Sequence, residues 1–262
     1  MKLGVIGCGL MASAIMEGIV SKGLLTPEDI LAADKFEASR ERAQANLGVH
    51  ITADNREAAA QDVVLLALHP NFCGAVLDEI ADVVREHGTV VWSIAAGVTV
   101  DQICSHVGED AKVVRCMPNT CATVGTAVTG VVPNANVSEE EVAALMELIG
   151  GFGIAERFDD ERKLDAIIPV TGSSPAMIFM LIDAMANGAA REGFTWEQAV
   201  RFSAQAVKGA AEMVLVSGKH PAQLQNQVCT PGGITIEMVK RLEAYGFRNA
   251  VLEAMQACTE DL

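Results

Sequence analysis

The chain has 262 residues, of which 50% are hydrophobic, enough to bury the core of one large domain or two modest ones. Its formal net charge of −15 would repel a phosphate backbone, which excludes nucleic acid as an expected partner. Glycines interrupt the N-terminal apolar run, and no apolar run reaches the roughly 18 residues of a membrane span. We therefore expect a cytoplasmic protein without a membrane partner.

Short β-branched runs alternate with helical patterns in the first part of the chain, which predicts βαβ units and a mainly parallel sheet. The predicted strands are KLGVIG (2–7), DILAAD (29–34), VHIT (49–52), VVLLALH (63–69), TVVWSIAAG (89–97), KVVRCMP (112–118) and GIAERFD (153–159). The predicted helices cover residues 11–23, 37–48, 72–88 and 137–151, with Ser138 as N-cap of the last and Glu141 completing a capping box.

The sequence pattern changes near residue 160, from alternating strands and helices to helices alone. Long helical patterns over 175–193, 195–218 and from Gly233 to the C-terminus carry almost no strand signal. We predict two domains, 1–160 and 161–262, the second of them all-helical. Its central helices have few polar residues on any face. A domain of this size cannot bury so much apolar surface by itself, and we therefore expect a homodimer.

The stretch GVIGCGLMASA follows the first predicted strand and opens the first helix. Gly7 permits a tight turn, Gly9 lets the backbone approach a pyrophosphate, and Ala12 lets helix and strand pack closely. We interpret this as the dinucleotide site of a Rossmann-type doubly wound sheet in an α/β fold. A merely tight turn is the alternative.

Two further positions are typical of such a site. Asp34 ends the second strand, where an acid binds a ribose, and Lys35 could offset its repulsion of a 2′-phosphate, so the choice between NADPH and NADH stays open. The alternative is that Asp34 is only an aspartate in the turn before the next helix. Asn119 follows the strand 112–118 and is either a donor to a ligand or an asparagine in a turn.

The seven cysteines contain no CxxC pair and the five histidines have no metal-ligand spacing, so we expect no metal site. The cysteines are predicted to be reduced and mostly buried. Cys116 and Cys121 flank the Asn119 loop, but no histidine is placed to activate either thiol, and a packing role is favoured.

The segments GCGLMASA, SIAAGVT, RCMPNT, TGSSPAMIF and HPAQLQNQVCTPGGITIEMVKRLE occur in the order and spacing of the pyrroline-5-carboxylate reductase family, and the resemblance covers essentially the whole chain. The resemblance implies a Rossmann domain, a helical dimerisation domain, and reduction of 1-pyrroline-5-carboxylate to L-proline with NADPH or NADH in proline biosynthesis. It places the active site between one subunit's cofactor domain and its partner's helices, and many members assemble dimers into a decamer.

The resemblance also implies the site residues. The cofactor contacts would be Ile6, Gly7, Cys8, Gly9, Leu10, Met11, Asn55, Ala67, Leu68, His69, Pro70, Ala95, Ala96 and Gly97. The substrate, a cyclic imino acid, would lie near Asn119, Thr171, Ser173, Ser174, Asn226, Gly232, Gly233, Ile234 and Thr235, with Thr235 as the candidate catalytic hydroxyl. Ser173, Ser174 and Pro175 also suit a helix start with a hydroxyl N-cap.

Several residues depart from the family pattern. Leu10 replaces an asparagine, His69 a lysine, Met177 a tyrosine, Cys121 a proline and Ile234 a threonine. These departures leave two alternatives to the predicted reductase: a reductase of a related cyclic imino acid, such as a six-membered ring acid, and a non-catalytic NAD(P)H-binding regulator.

The substrate carries a carboxylate, yet no arginine falls in the matched substrate segments. The two glycines at 232 and 233 open a helix, whose exposed N–H groups and dipole attract anions. We predict that these amides bind the carboxylate.

Overall fold

A computed structural model describes residues 1–259. The chain divides into two compact units: the first unit is Met1–Gly172 and the second unit begins at Ser173. The first unit contains one sheet of eight strands in the order β3-β2-β1-β4-β5-β6-β7-β8. The strands are β1 Leu3–Ile6, β2 Ile30–Ala33, β3 His50–Thr52, β4 Val63–Leu66, β5 Val90–Ser93, β6 Lys112–Met117, β7 Ala127–Pro133 and β8 Gly153–Arg157.

Seven α-helices of the first unit accompany these strands. They are α1 Leu10–Ser21, α2 Glu37–Leu47, α3 Asn55–Ala59, α4 Pro70–His87, α5 Val100–Val107, α6 Glu139–Gly150 and α7 Arg162–Ala166. The predicted capping box is confirmed, because the Glu141 N–H donates to the Ser138 hydroxyl at 3.2 Å and Glu141 Oε2 accepts from the Ser138 N–H at 2.9 Å. Apolar side chains are buried on both faces of the sheet, as the βαβ pattern predicts.

The strand order reverses between β1 and β4, which is where doubly wound sheets bind ligands. All neighbouring strands are parallel except β6 and β7, which run antiparallel with Met117 opposite Gly130. The sequence prediction did not include β7. The strand order confirms the predicted Rossmann-type sheet.

Residues 161–172 belong to the first compact unit, although the sequence placed them at the start of the second domain. Leu164 is buried against Met117 and Val132, so this connecting segment packs on β6 and β7. The domain division at 160/161 stays a prediction, because compactness within one chain does not define a functional domain.

The second unit is helical: no strand occurs in the described residues 173–259. Its helices are α8 Ser174–Arg191, α9 Trp196–Ser217, α10 Pro221–Val228, α11 Ile234–Ala244 and α12 Phe247–Ala257. The prediction of one helix from Gly233 to the C-terminus was wrong, because Gly246, at φ +72°, ends the run in a left-handed turn. The sequence prediction also lacked α10.

Large apolar side chains of the second unit are exposed in the single chain. They include Phe179, Met180, Trp196, Leu215, Val216 and Leu252. Within the described residues, one helical segment, Arg162–Arg191, is long and apolar enough by length and composition to cross a membrane. Exposed apolar surface of this extent is typical of a face that another molecule covers.

Candidate functional site

The glycine-rich loop begins where β1 ends. Gly7 has φ +97°, and a Cβ there would lie 2.4 Å from the Ala67 carbonyl oxygen, so a side chain is excluded by conformation and by space. The Gly7 N–H donates to the Ala33 carbonyl at 2.8 Å, which ties the loop to β2. Gly9 has ordinary φ and ψ values, and a Cβ there would meet no atom within 4 Å. The space on the side of Gly9 where a Cβ would point is therefore open.

Helix α1 starts at this opening without a capping side chain. Gly9 is its N-cap, no side-chain hydrogen bond closes the first turn, and no acidic residue lies in that turn. Its first amides therefore lack intrahelical partners and carry the positive end of the helix dipole. This loop fits the pyrophosphate of a dinucleotide. Leu10, the first residue of α1, is 87% exposed beside this loop.

Asp34 follows β2, as predicted, but its carboxylate is bound within the chain. Oδ2 accepts the N–H of Cys8 at 2.8 Å, and Oδ1 accepts the N–H of Phe36 at 2.8 Å. Two arginines that the sequence analysis did not single out lie beside it: Arg40 donates to the Asp34 carbonyl at 2.6 Å, and Arg42 donates to the Cys8 carbonyl at 3.2 Å. Their positions in the first two turns of α2, the helix that follows β2, are the signal that could have found them.

Aromatic side chains hold Lys35 at this edge of the sheet. Its Nζ lies 4.8 Å from the ring centroid of Phe36 and 4.8 Å from that of Phe72. His69 contacts Phe72 edge-on and, as N-cap of α4, accepts the N–H of Asn71 through Nδ1 at 3.4 Å. A cationic, aromatic surface therefore faces solvent beside Asp34.

The other predicted cofactor residues lie at the carboxyl ends of neighbouring strands. Residues 67–70 follow β4, and residues 95–97 follow β5, with Gly97 at φ +73°. The structure thus brings these two loops to the same sheet edge as the glycine-rich loop. Asn55, at the start of α3, instead donates from Nδ2 to Glu79 Oε2 of α4 at 2.9 Å.

Asn119 follows β6 and is only 7% exposed. Its Nδ2 donates to the Thr171 carbonyl at 2.8 Å, and its Oδ1 accepts the N–H of Val128 at 3.3 Å. The side chain therefore has a structural role within the first unit, and its predicted contact with a ligand stays a prediction.

All seven cysteines are unpaired, and four are buried, as the sequence predicted. Burial raises the pKa of the Cys8 thiol to about 12, and the nearby Asp34 carboxylate adds to this rise. Burial also raises the pKa of Cys116, whose thiol is therefore protonated at neutral pH. Neither thiol is suited to act as a nucleophile. Across residues 1–259, no group of three histidine, cysteine or acidic side chains could hold a metal ion.

The remaining predicted substrate residues lie in the second unit. Ser173 is the N-cap of α8, but its hydroxyl makes no capping hydrogen bond, contrary to the predicted capping role. Asn226 is exposed on α10, and Ile234, the first residue of α11, is 91% exposed.

The Pro231-Gly232 turn precedes α11. Gly232 has φ +69°, and the N–H of Gly233 donates to the Thr230 carbonyl at 3.0 Å, which closes the turn. The prediction that both glycine amides are unpaired was therefore wrong for Gly233. No side chain caps α11, so its first-turn amides, including that of Thr235, are the ones that lack intrahelical partners.

Comparison with known proteins gives a consistent result along the whole chain. A family model described as pyrroline-5-carboxylate reductase dimerisation matches residues 161–262, and one described as NADP oxidoreductase, coenzyme F420-dependent, matches residues 2–97. Pyrroline-5-carboxylate reductase of Escherichia coli (strain K12) is 42% identical over 264 residues, covering 99% of this chain and 96% of that protein. The chain belongs to the pyrroline-5-carboxylate reductase family.

Further relatives agree with the family assignment. The pyrroline-5-carboxylate reductase of Methanosarcina acetivorans is 38% identical, over 99% of this chain and 96% of that protein. A solved pyrroline-5-carboxylate reductase of Coxiella burnetii superposes with a TM-score of 0.93 at 31% identity, over 99% of this chain and 96% of that one. A Plasmodium falciparum pyrroline carboxylate reductase, solved with NADP bound, has a TM-score of 0.88 at 26% identity. The match covers 100% of this chain and 96% of that chain. The resemblance and the fold class predicted from the sequence are both confirmed.

A family dimerisation domain also accounts for the apolar surface of the second unit. The exposed side chains of α8 and α9 lie inside the matched residues 161–262. A second copy of the chain is thus the molecule that would cover them, and the predicted dimer is supported.

Proposed function

We propose that this chain catalyses the NAD(P)H-dependent reduction of 1-pyrroline-5-carboxylate to L-proline, the last step of proline biosynthesis. The observation that carries the proposal is the open, uncapped loop at Gly9 and α1, a built anion site in a member of the reductase family. The bound nicotinamide supplies a hydride to the carbon of the C=N bond.

The chain's residues would bind and orient the two reactants. The amides of residues 9–12 hold the cofactor phosphates, and the loops 67–70 and 95–97 line the same sheet edge. An imine that binds already protonated needs no strong acid from the protein. The site's main contribution is then orientation and the exclusion of water.

The substrate carboxylate is assigned to the start of α11. No side chain caps the first amides of α11, Gly232 and Gly233 place no side chain of their own before them, and the dipole of an eleven-residue helix favours an anion there. Thr235, in that first turn, would place its hydroxyl near the ring nitrogen. This assignment follows from the family resemblance together with the uncapped helix.

Thr235→Ala is expected to lower kcat/KM for 1-pyrroline-5-carboxylate by about tenfold or more, because a hydroxyl that orients the ring or relays a proton is lost. Steady-state kinetics with saturating NADPH measure this effect. Thr235→Ser keeps the hydroxyl and is expected to retain most of the activity. Unchanged turnover and Michaelis constant in the alanine variant would remove Thr235 from the mechanism.

One spectrophotometric assay tests the reaction against its alternatives. NADPH and NADH oxidation is followed with 1-pyrroline-5-carboxylate and, separately, with its six-membered homologue. We expect faster oxidation with the five-membered substrate. Preference for the six-membered ring would indicate a reductase of the related imino acid, and oxidation with neither would indicate a dinucleotide-binding regulator.

The basic surface beside Asp34 predicts a preference for NADPH. Because the Asp34 carboxylate already accepts two backbone N–H groups, its repulsion of a 2′-phosphate is weakened, whereas Lys35, Arg40 and Arg42 offer positive charge nearby. Lys35→Glu is expected to lower kcat/KM for NADPH by about tenfold or more and that for NADH by less than about threefold.

Lys22→Glu is the matched control for this variant. It makes the same change in net charge on the first unit, at the opposite end of α1 from the glycine-rich loop. Kinetics with both cofactors should show no change in preference. Equal losses for NADPH and NADH in Lys35→Glu would contradict the proposed 2′-phosphate contact.

We further propose that the homodimer is the working unit, that dimers assemble into a decamer, and that the protein is cytoplasmic. The apolar segment Arg162–Arg191 belongs to the matched dimerisation residues, which supports a covering subunit in place of a membrane. The net charge of −15 supports the absence of a nucleic-acid partner. Size-exclusion chromatography with light scattering measures the assembly state directly.

A further inference from the structure

A charged residue lies in the core of the first unit. Arg115 of β6 has 1% of its side chain exposed. Its Nη1 donates to Glu161 Oε1 at 2.7 Å, and its Nη2 donates to Asp165 Oδ1 at 2.8 Å. A buried guanidinium is costly to desolvate and is kept only with such partners. The neighbouring positions of β6, Val114 and Cys116, are apolar and buried, so packing of the strand alone does not explain a charge at position 115.

The two carboxylates lie at the start of the connecting segment, residues 161–172. Glu161 Oε1 also accepts the N–H of Val100, the first residue of α5, at 2.9 Å. Arg115 therefore joins three elements, because β6, α5 and α7 meet at one pair of acidic side chains.

The other end of the connecting segment is bound to the loop that follows the same strand. Asn119 donates to the Thr171 carbonyl at 2.8 Å. The N–H and hydroxyl of Thr171 both bond the Ile167 carbonyl, at 2.9 and 3.2 Å. Residues 161–172 are thus held at their start by Arg115 and at their end by Asn119, and both anchors belong to β6 or its loop.

We propose that Arg115 is a positioning residue for the substrate. Its ion pairs with Glu161 and Asp165 fix the connecting segment, and this segment in turn fixes Thr171 and Asn119, two of the predicted substrate residues. The inference rests on the proposed function. The predicted cofactor residues lie instead at the ends of β1, β2, β4 and β5 and at the start of α3, so loosening the segment should affect substrate more than cofactor.

Glu161→Gln tests this role with a mild change. It removes one charge from the pair and keeps the size of the side chain. Hydrogen exchange of the amides of residues 167–172 is expected to quicken by about tenfold, since their local opening becomes easier. The KM for 1-pyrroline-5-carboxylate should rise by about tenfold, and the KM for NADPH should change by less than about twofold.

Glu139→Gln is the matched control. Glu139 pairs with Arg157 through two hydrogen bonds, at 2.6 and 3.0 Å, so the variant removes the same charge from another arginine pair of the first unit. It should leave exchange at 167–172 and both Michaelis constants unchanged. Arg115→Lys, which keeps the charge, is expected to lose less substrate affinity than Arg115→Met.

Unchanged exchange at residues 167–172 in Glu161→Gln would overturn the proposal, as would an equal rise in both Michaelis constants. If the unaltered protein reduced no 1-pyrroline-5-carboxylate, the proposed function would fail. The exchange measurement, which needs no turnover, would then decide by itself whether Arg115 fixes the segment.

Discussion

Gly9→Asp is expected to raise the Michaelis constant for NAD(P)H by about a hundredfold, a loss of about 2.7 kcal/mol of binding, without destabilising the fold. The new carboxylate would stand where the cofactor's phosphates bind, and it would compete with them for the first-turn amides of α1. The backbone of Gly9, at φ −74° and ψ −176°, accepts any residue, and its Cβ would meet nothing within 4 Å.

The same change should leave the free energy of unfolding unaltered or raise it by about a few tenths of a kcal/mol, because aspartate is a better N-cap than glycine. Stability and cofactor binding are therefore expected to move in opposite directions. Urea unfolding of the protein without cofactor and steady-state kinetics with NADPH measure the two effects separately.

Gly9→Asn is the control that separates charge from shape. Asparagine is nearly isosteric with aspartate and caps a helix equally well, but it is neutral. It should weaken NADPH binding much less than Gly9→Asp does. Equal losses in the two variants would mean that the side chain only blocks the opening, and unchanged binding in both would place the phosphates elsewhere.

The local parts of the fold were predictable because their signals lie within short windows. The strand before Gly7, the spacing of Gly7 and Gly9, and the Ser138 capping box each depend on residues within a few positions of one another. The same holds for the position of Asp34 at the end of β2.

Side-chain partners that are distant in sequence were not predictable. Arg115 stood in an otherwise apolar strand pattern, and its partners Glu161 and Asp165 lie 46 and 50 positions away. Asp34 was placed correctly, but nothing local indicated that its carboxylate would accept the Cys8 N–H. Pairing of this kind is decided by the packing of the whole sheet.

The turn before α11 is a different case, because the signal that predicts it is local. Proline at 231 and glycine at 232 are the residues that a type II turn prefers at its two central positions. Such a turn is closed by a bond from the fourth residue's N–H to the first residue's carbonyl, which is the bond from Gly233 to Thr230. The amides that we assign to the substrate carboxylate are therefore those of the first turn of α11, one residue or more further along the chain than Gly233.

Gly233→Val is expected to raise the Michaelis constant for 1-pyrroline-5-carboxylate by about thirtyfold and that for NADPH by less than about twofold. The side chain would stand beside the first-turn amides of α11, where we place the substrate carboxylate. A substrate without this group, 1-pyrroline, should be reduced equally well by the variant and the unaltered enzyme. Equal effects on both imines, or on imine and cofactor, would contradict the carboxylate site.

A double variant distinguishes two reasons why Gly233→Val could impair substrate binding: valine blocks the amides, or valine distorts the turn. A Cβ at Gly233 would lie 2.4 Å from the Thr230 hydroxyl oxygen and 3.1 Å from its carbonyl oxygen, so the valine also presses on the turn. Thr230→Ala removes the nearer of these contacts. If the amides bind the carboxylate, Gly233→Val remains impaired toward 1-pyrroline-5-carboxylate in that background, because the methyl groups still cover them. Full recovery would show that the turn's shape, and not its exposed amides, holds the substrate.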